Sequence, residues 1–139
     1  ALIKNYLKFP LSYEQIVKAH NAHIYAVNND VEQILRKLPK GGIAFATDTN
    51  EWQTAREKEL INLEDYSDHI FRSHEIHMLK IDEGLFPYLL EELGVPREEI
   101  LFIDDSAEKI KMAEACKIPA LLFKDATQLS HVLKKNDII

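Results

Sequence analysis

Ile100-Leu101-Phe102-Ile103-Asp104-Asp105-Ser106 sets four apolar residues directly before two adjacent acids and a hydroxyl. A short apolar run bounded by turn residues predicts a strand covered on both faces, and the polar triplet marks its carboxyl end and the cap of a following helix. The same arrangement recurs on either side. Downstream, Ser106 to Cys116 reads as a helix and Ala120-Leu121-Leu122-Phe123 as a strand, and Asp125 with Gln128 caps a terminal helix carrying Leu129, Val132 and Leu133. Upstream, Leu85, Phe86, Leu89, Leu90 and Leu93 form a helical stripe ending at Gly94. Pro87 requires that helix either to start near Gly84 to Phe86 or to bend. Before it lie a brief strand at Ile70-Phe71, a helix from Asn50 to Leu63, and an apolar strand at Ile43-Ala44-Phe45-Ala46. Strand and helix alternate from Gly41 onward, which predicts βαβ units around a parallel sheet with a ligand site beyond the carboxyl ends of its strands.

The front of the chain is different. Ser12 followed by Gln15, then Ile16, Ala19, His23, Ala26 and Val27, predicts a helix from about Ser12 to Val27. Asn29 with Glu32 repeats the cap pattern and leads through Val31, Ile34, Leu35 and Leu38 to Pro39. The break at Pro39-Lys40-Gly41-Gly42 divides the chain into a helical segment, 1–40, and an α/β part, 41–139.

Bulk properties exclude several classes. The 139 residues are 46% hydrophobic and 29% charged, which suits one globular domain and neither a fibrous nor a disordered chain. Seventeen basic and twenty-three acidic side chains, spread along the chain, argue against a nucleic-acid partner held by phosphate neutralisation. With one cysteine no internal disulfide can form, and no apolar stretch reaches the roughly 20 residues that span a bilayer. A cytoplasmic location with no membrane partner is the expectation. The chain starts at Ala1, so material upstream of it is also expected.

Three polar signals fall at the expected strand ends. Thr47-Asp48-Thr49-Asn50 runs from a strand into a helix start, where a hydroxyl and free backbone N–H groups can bind a phosphate oxygen; the plain alternative is a helix cap. Asp104 and Asp105 need a cation, a base or a hydrogen-bond donor nearby, and Ser106 or Asp105 reads equally well as a cap. Lys80 lies in a loop one βα unit from each of these. His74 and His77 with Glu75, and His20 with His23, are a thin rival metal pattern. Trp52 and Tyr66 read as packing or rim residues, and Cys116 as a small buried hydrophobe.

In this order and spacing the chain resembles the haloacid dehalogenase-like (HAD) hydrolase superfamily, in the subgroup whose cap is inserted between the first and second motifs. Thr47-Asp48-Thr49-Asn50-Glu51 stands for the second motif, Lys80-Ile81-Asp82 ahead of Phe86 and Leu89-Leu90 for the third, and Leu93-Gly94-Val95-Pro96 through Asp104-Asp105-Ser106 for the fourth. The resemblance spans roughly Asn29 to Phe123. It implies a Rossmann-like parallel sheet flanked by helices, with residues 1–40 as a cap remnant and the helix returning to the core. It further implies a Mg²⁺-dependent phosphatase of a small phosphorylated metabolite. On that reading Thr47 and Lys80 are catalytic, Thr47, Asp48 and Lys80 bind the phosphoryl group, and Asp104 and Asp105 bind Mg²⁺. The alternative is a non-catalytic module that keeps the fold for binding or regulation. True dehalogenation, which needs no Mg²⁺-binding pair, is less expected. Receiver domains use a similar residue set, but their acids come first in the chain.

The departures from the family are specific. Asp48 replaces the usual Asn, Lys109 stands where Asp or Asn is usual, Ile81-Asp82-Glu83 replaces Pro-Asp-Pro, and Lys117 takes the place of a helix-ending glycine. The family's nucleophile lies in an Asp-x-Asp on the first, central strand, and no Asp-x-Asp occurs in this chain. A sheet without that strand would have a gap at its middle, so a preceding segment, a partner chain or a rearranged sheet is expected to complete it.

Overall fold

The computed structural model describes residues 26–79 and 82–139. Most of the helix expected from Ser12 to Val27, and Lys80 itself, lie outside the described residues. In chain order the elements are α1 (Asn29–Leu35), β1 (Ala44–Thr47), α2 (Glu51–Leu60), β2 (His69–Arg72), α3 (Ser73–Ile76), α4 (Leu85–Leu93), β3 (Phe102–Asp104), α5 (Ala107–Ala115), β4 (Ala120–Leu122) and α6 (Ala126–Lys135).

Local chemistry accounts for the helix ends. Asn50 and Gln53 form a reciprocal capping box on α2, Ser106 caps α5, and the Asp125 carboxylate accepts the Gln128 N–H at 2.7 Å to start α6. The cap of α1 is Asn28 rather than Asn29, its side chain accepting the Val31 N–H at 3.2 Å. Helix α4 begins at Leu85, so Pro87 falls in the first turn, where its missing N–H costs nothing, and the helix ends at Gly94 with φ 65°. Lys117 takes the same left-handed conformation, φ 59°, after α5. Its N–H reaches Glu114 O at 2.8 Å and that of Ile118 reaches Ala113 O at 3.1 Å, a Schellman closure that holds a lysine where glycine is easier.

The strands pair in parallel, β1 with β2 (Ala44↔His69 to Thr47↔Arg72) and β3 with β4 (Phe102↔Ala120 to Asp104↔Leu122). They form two separate two-stranded sheets, and among the described residues no ladder joins β1 to β3, where a central strand was expected to be lacking. This corrects the expectation of strands covered on both faces. Ala44 is exposed, Ile103 is 36% exposed and Leu122 45%, because among the described residues each strand has a single hydrogen-bonded neighbour and its layer covers it only in part.

Cohesion between the two sheets comes from side chains. One core cluster gathers Phe71, Leu85, Phe86, Leu89, Ala113 and Ile118, with Ala46, Phe102 and Ala120 packed against it, so it draws on all four strands. The α4 rings face both ways: Phe86 meets Phe102 edge-on at 4.9 Å and Tyr88 meets Phe71 at 6.1 Å. Burial of Leu85 and Phe86, each 2% exposed, contributes about 1.5–3 kcal/mol apiece. A second cluster seats Ile34 of α1 on Leu129 and Leu133 of α6, which fixes the described end of the 1–40 segment to the α/β part.

Two polar ties lock the β1–β2 pair. Ser67, 1% exposed, donates to the Ile43 carbonyl and accepts the His69 N–H at 2.9 Å. Arg72 ends β2 with its side chain only 6% exposed, its guanidinium 3.1 Å from Glu57 and 3.4 Å from Glu64.

Candidate functional site

Thr47 closes β1, and the loop that follows it is held from the neighbouring strand. Thr49 N donates to Ser73 Oγ at 2.9 Å, and that hydroxyl donates back to Thr49 O at 2.9 Å. Because Ser73 follows β2 directly, the parallel register places it beside this loop. A line of hydroxyls runs inward from Thr47 Oγ1 to Thr49 Oγ1 at 3.2 Å, Thr54 Oγ1 at 3.4 Å and His74 Nε2 at 3.0 Å. Ser73, Thr54 and His74 were not read as partners of Thr47. The only sequence signal for Ser73 was its position two residues past the expected Ile70-Phe71 strand. His74 is a hydrogen-bond partner in this line, and among the described residues no group of three or more His, Cys, Asp or Glu is placed to hold a metal.

On the other sheet Asp104 ends β3 and is buried at 7% exposure, while Asp105 is exposed. Asp104 Oδ1 accepts the Ser106 N–H at 2.9 Å, a local turn that aims the chain into α5. Ser106 is thus the cap, as the plain reading had it, and the two acids stand just ahead of that helix start.

Lys109, in the first turn of α5, connects the two sets. Its Nζ lies 3.0 Å from Asp48 Oδ2, each side chain about a quarter exposed, at 25% and 28%. Burial pushes the Lys109 ammonium down, but the hydrogen bond to Asp48 and the charges of Asp48, Asp104 and Asp105 outweigh it, and its pKa is raised. The residue that was expected to weaken a Mg²⁺ site if it pointed inward does point inward. Two unit charges about 4 Å apart interact by about 4 kcal/mol at an effective dielectric of 20, and a dication beside this ammonium would meet twice that repulsion. With no cluster of three ligating side chains among the described residues and this ammonium already on Asp48, those residues do not by themselves form a Mg²⁺ site.

A cavity of about 310 Å³, lined by Leu35, Arg36, Leu38, Lys40, Asp65 and Tyr66, is formed by residues other than these.

The haloacid dehalogenase-like hydrolase family model matches residues 3–123. The chain belongs to that family. Its fold is that of a HAD-family enzyme, BT-2542, from Bacteroides thetaiotaomicron, with TM-score 0.84 and 25% identity over 94% of this chain and 68% of that one. The same enzyme in complex with magnesium and inorganic phosphate superposes with TM-score 0.81 at 24% identity, covering 91% of this chain and 69% of the enzyme. Rat bifunctional epoxide hydrolase 2 is 22% identical over 116 residues, which is 79% of this chain and 21% of that protein. Drimenol cyclase DrtB of Aspergillus calidoustus is 33% identical over 63 residues, 44% of this chain and 12% of the cyclase. This HAD-like chain thus spans about a fifth or less of the curated relatives it matches. No helix among the described residues is long and apolar enough to cross a membrane.

Proposed function

We propose that this HAD-like chain carries the phosphate-handling side of a hydrolase that cleaves small phosphoric monoesters. One observation supports the reading above the rest: the loop after Thr47 and the helix that follows the Asp104-Asp105 turn, on different sheets, are joined by the contact of Asp48 with Lys109. Phosphoryl transfer depends on charge and hydrogen-bond donors placed around the equatorial oxygens more than on proton chemistry. In that role the Thr47 hydroxyl, at the end of β1, would hold a phosphoryl oxygen, with Asp48 and its ammonium partner beside it and Lys80 supplying charge. The hydroxyl line from Thr47 to His74 would fix the rotor of Thr47. The attacking carboxylate, and the strand bearing it, would come from outside these 139 residues, in the same polypeptide or a partner chain. Magnesium enters by resemblance and from the complex of the Bacteroides enzyme with magnesium and inorganic phosphate.

A non-catalytic binding module is the second reading, and the Asp48–Lys109 pair favours it, since it spends two site residues on each other. Hydrolysis of generic phosphate esters by the full-length protein, with and without Mg²⁺, separates the two. Turnover reduced at least tenfold by Thr47→Val and by Lys80→Ala, with melting curves retained, supports the hydrolase. Inactivity of the unmutated full-length protein across the panel, with phosphate still bound, supports the module.

A further inference from the structure

Two departures from the family pattern, distant in sequence, are one contact in space. An acid stands at position 48 where Asn is usual and a base at 109 where an acid or amide is usual, and their charged atoms meet at 3.0 Å. Each change alone would unbalance the crevice. Asp48 would add a third carboxylate to Asp104 and Asp105, and Lys109 would be a half-buried ammonium without a counter-ion. Together they are self-consistent, and the ammonium, in the first turn of α5, also feels the charges of Asp104 and Asp105. Magnesium demands near-ideal octahedral oxygen geometry and keeps several of its waters, so it needs room and open carboxylate edges. Here one oxygen of Asp48 is taken by Lys109 and one of Asp104 by the Ser106 N–H.

We infer that Lys109, held on Asp48, is the resident cation between the Thr47 loop and the Asp104-Asp105 turn, so that these residues do not fit a divalent metal and the site works without one. The inference rests on the phosphate-handling reading only for the identity of the anion it serves.

Mn²⁺ binding to the full-length protein, followed by electron paramagnetic resonance, tests the cation directly, and inorganic phosphate binding by calorimetry in EDTA or in Mg²⁺ tests the anion. The unmutated protein is expected to bind no stoichiometric Mn²⁺. The double exchange D48N/K109D, which restores the family's usual residue types, is expected to gain at least tenfold in Mn²⁺ affinity. Phosphate binding by the unmutated protein is expected to be the same in EDTA and Mg²⁺, and to fall at least tenfold in Lys109→Met. Stoichiometric Mn²⁺ binding by the unmutated protein that is lost in Asp105→Asn overturns the inference, as does phosphate binding that requires Mg²⁺; both leave the hydrolase reading standing. Absence of phosphate binding in either buffer, with Mn²⁺ still refused until the double exchange is made, overturns the phosphate reading and upholds Lys109 as the cation.

Discussion

Arg72 offers the sharpest test of how this fold is held behind its site. Its guanidinium is 3.1 Å from Glu57 and 3.4 Å from Glu64, with side-chain exposures of 6% for the arginine, 14% for Glu57 and 45% for Glu64. Removing one partner of a buried ion pair costs about 3–5 kcal/mol, because the other charge is left without compensation in a poor solvent. Glu57→Gln keeps the shape and removes the more buried carboxylate, but Glu64 remains and can swing with little strain, so the lower end applies, about 3 kcal/mol. For a chain of this length one kcal/mol corresponds to about 3–4 °C, so the midpoint should fall by about 9–12 °C. Arg72→Met should cost a similar amount, since it leaves Glu57 facing an apolar neighbour. The double variant should cost well below the sum of the two, with a coupling of about 1–3 kcal/mol, because a matched uncharged pair needs no desolvation. Thermal melts by far-ultraviolet circular dichroism on the four proteins measure the cycle. Single variants each within about 0.5 kcal/mol of the parent, or a strictly additive double, would refute the reasoning and reduce the contact to the worth of an exposed pair.

Ser67→Ala removes a hydroxyl that is 1% exposed and leaves the Ile43 carbonyl and the His69 N–H without it, so a loss of about 1–3 kcal/mol is expected by chemical denaturation; an unchanged midpoint would show that water or a neighbour replaces it. The hydrogen bonds from Tyr66 and then Arg36 hold the Glu32 carboxyl below its ordinary value of 4.5. A depressed folded-state pKa means that the stability it brings is present above about pH 4.5 and is lost as pH falls through the folded value. The melting difference between the parent and Glu32→Gln should therefore be constant from pH 7 to 5 and shrink below that; a difference unchanged down to pH 3 would contradict the assignment.

The parts of this molecule that follow from neighbours in sequence were legible, and those that follow from long-range meetings were not. Caps at Asn50, Ser106 and Asp125 and the left-handed end at Gly94 are local chemistry, and the sequence pattern placed them. The strand at Ile100 to Ile103 came out displaced, as Phe102–Asp104, because the three-residue turn Arg97–Glu99 uses Ile100 N–H to close itself and pairing begins only where Phe102 N reaches Pro119 O at 2.8 Å. Apolar composition suggested strands covered on both faces. The strand edges depend instead on which other strands are present, and composition does not carry that. Arg72 gave no hint of burial, since an arginine followed by Ser73 and His74 reads as surface until Glu57 arrives from α2. Asp48 and Lys109 were each visible as departures, yet nothing along the chain joined them.

The separation of β1–β2 from β3–β4 has a consequence for motion. With no backbone ladder crossing from β1 to β3 among the described residues, the halves are coupled through the Phe86 and Tyr88 rings of α4 and the Lys109–Asp48 contact, and such side-chain couplings open more readily than a hydrogen-bonded ladder. A ligand gripping both the Thr47 loop and the Asp105 turn would act as a clasp across that seam. Amide exchange in β1 and β3 should then slow together when it binds, so that occupancy of the site is read out by the breathing of strands in two separate sheets.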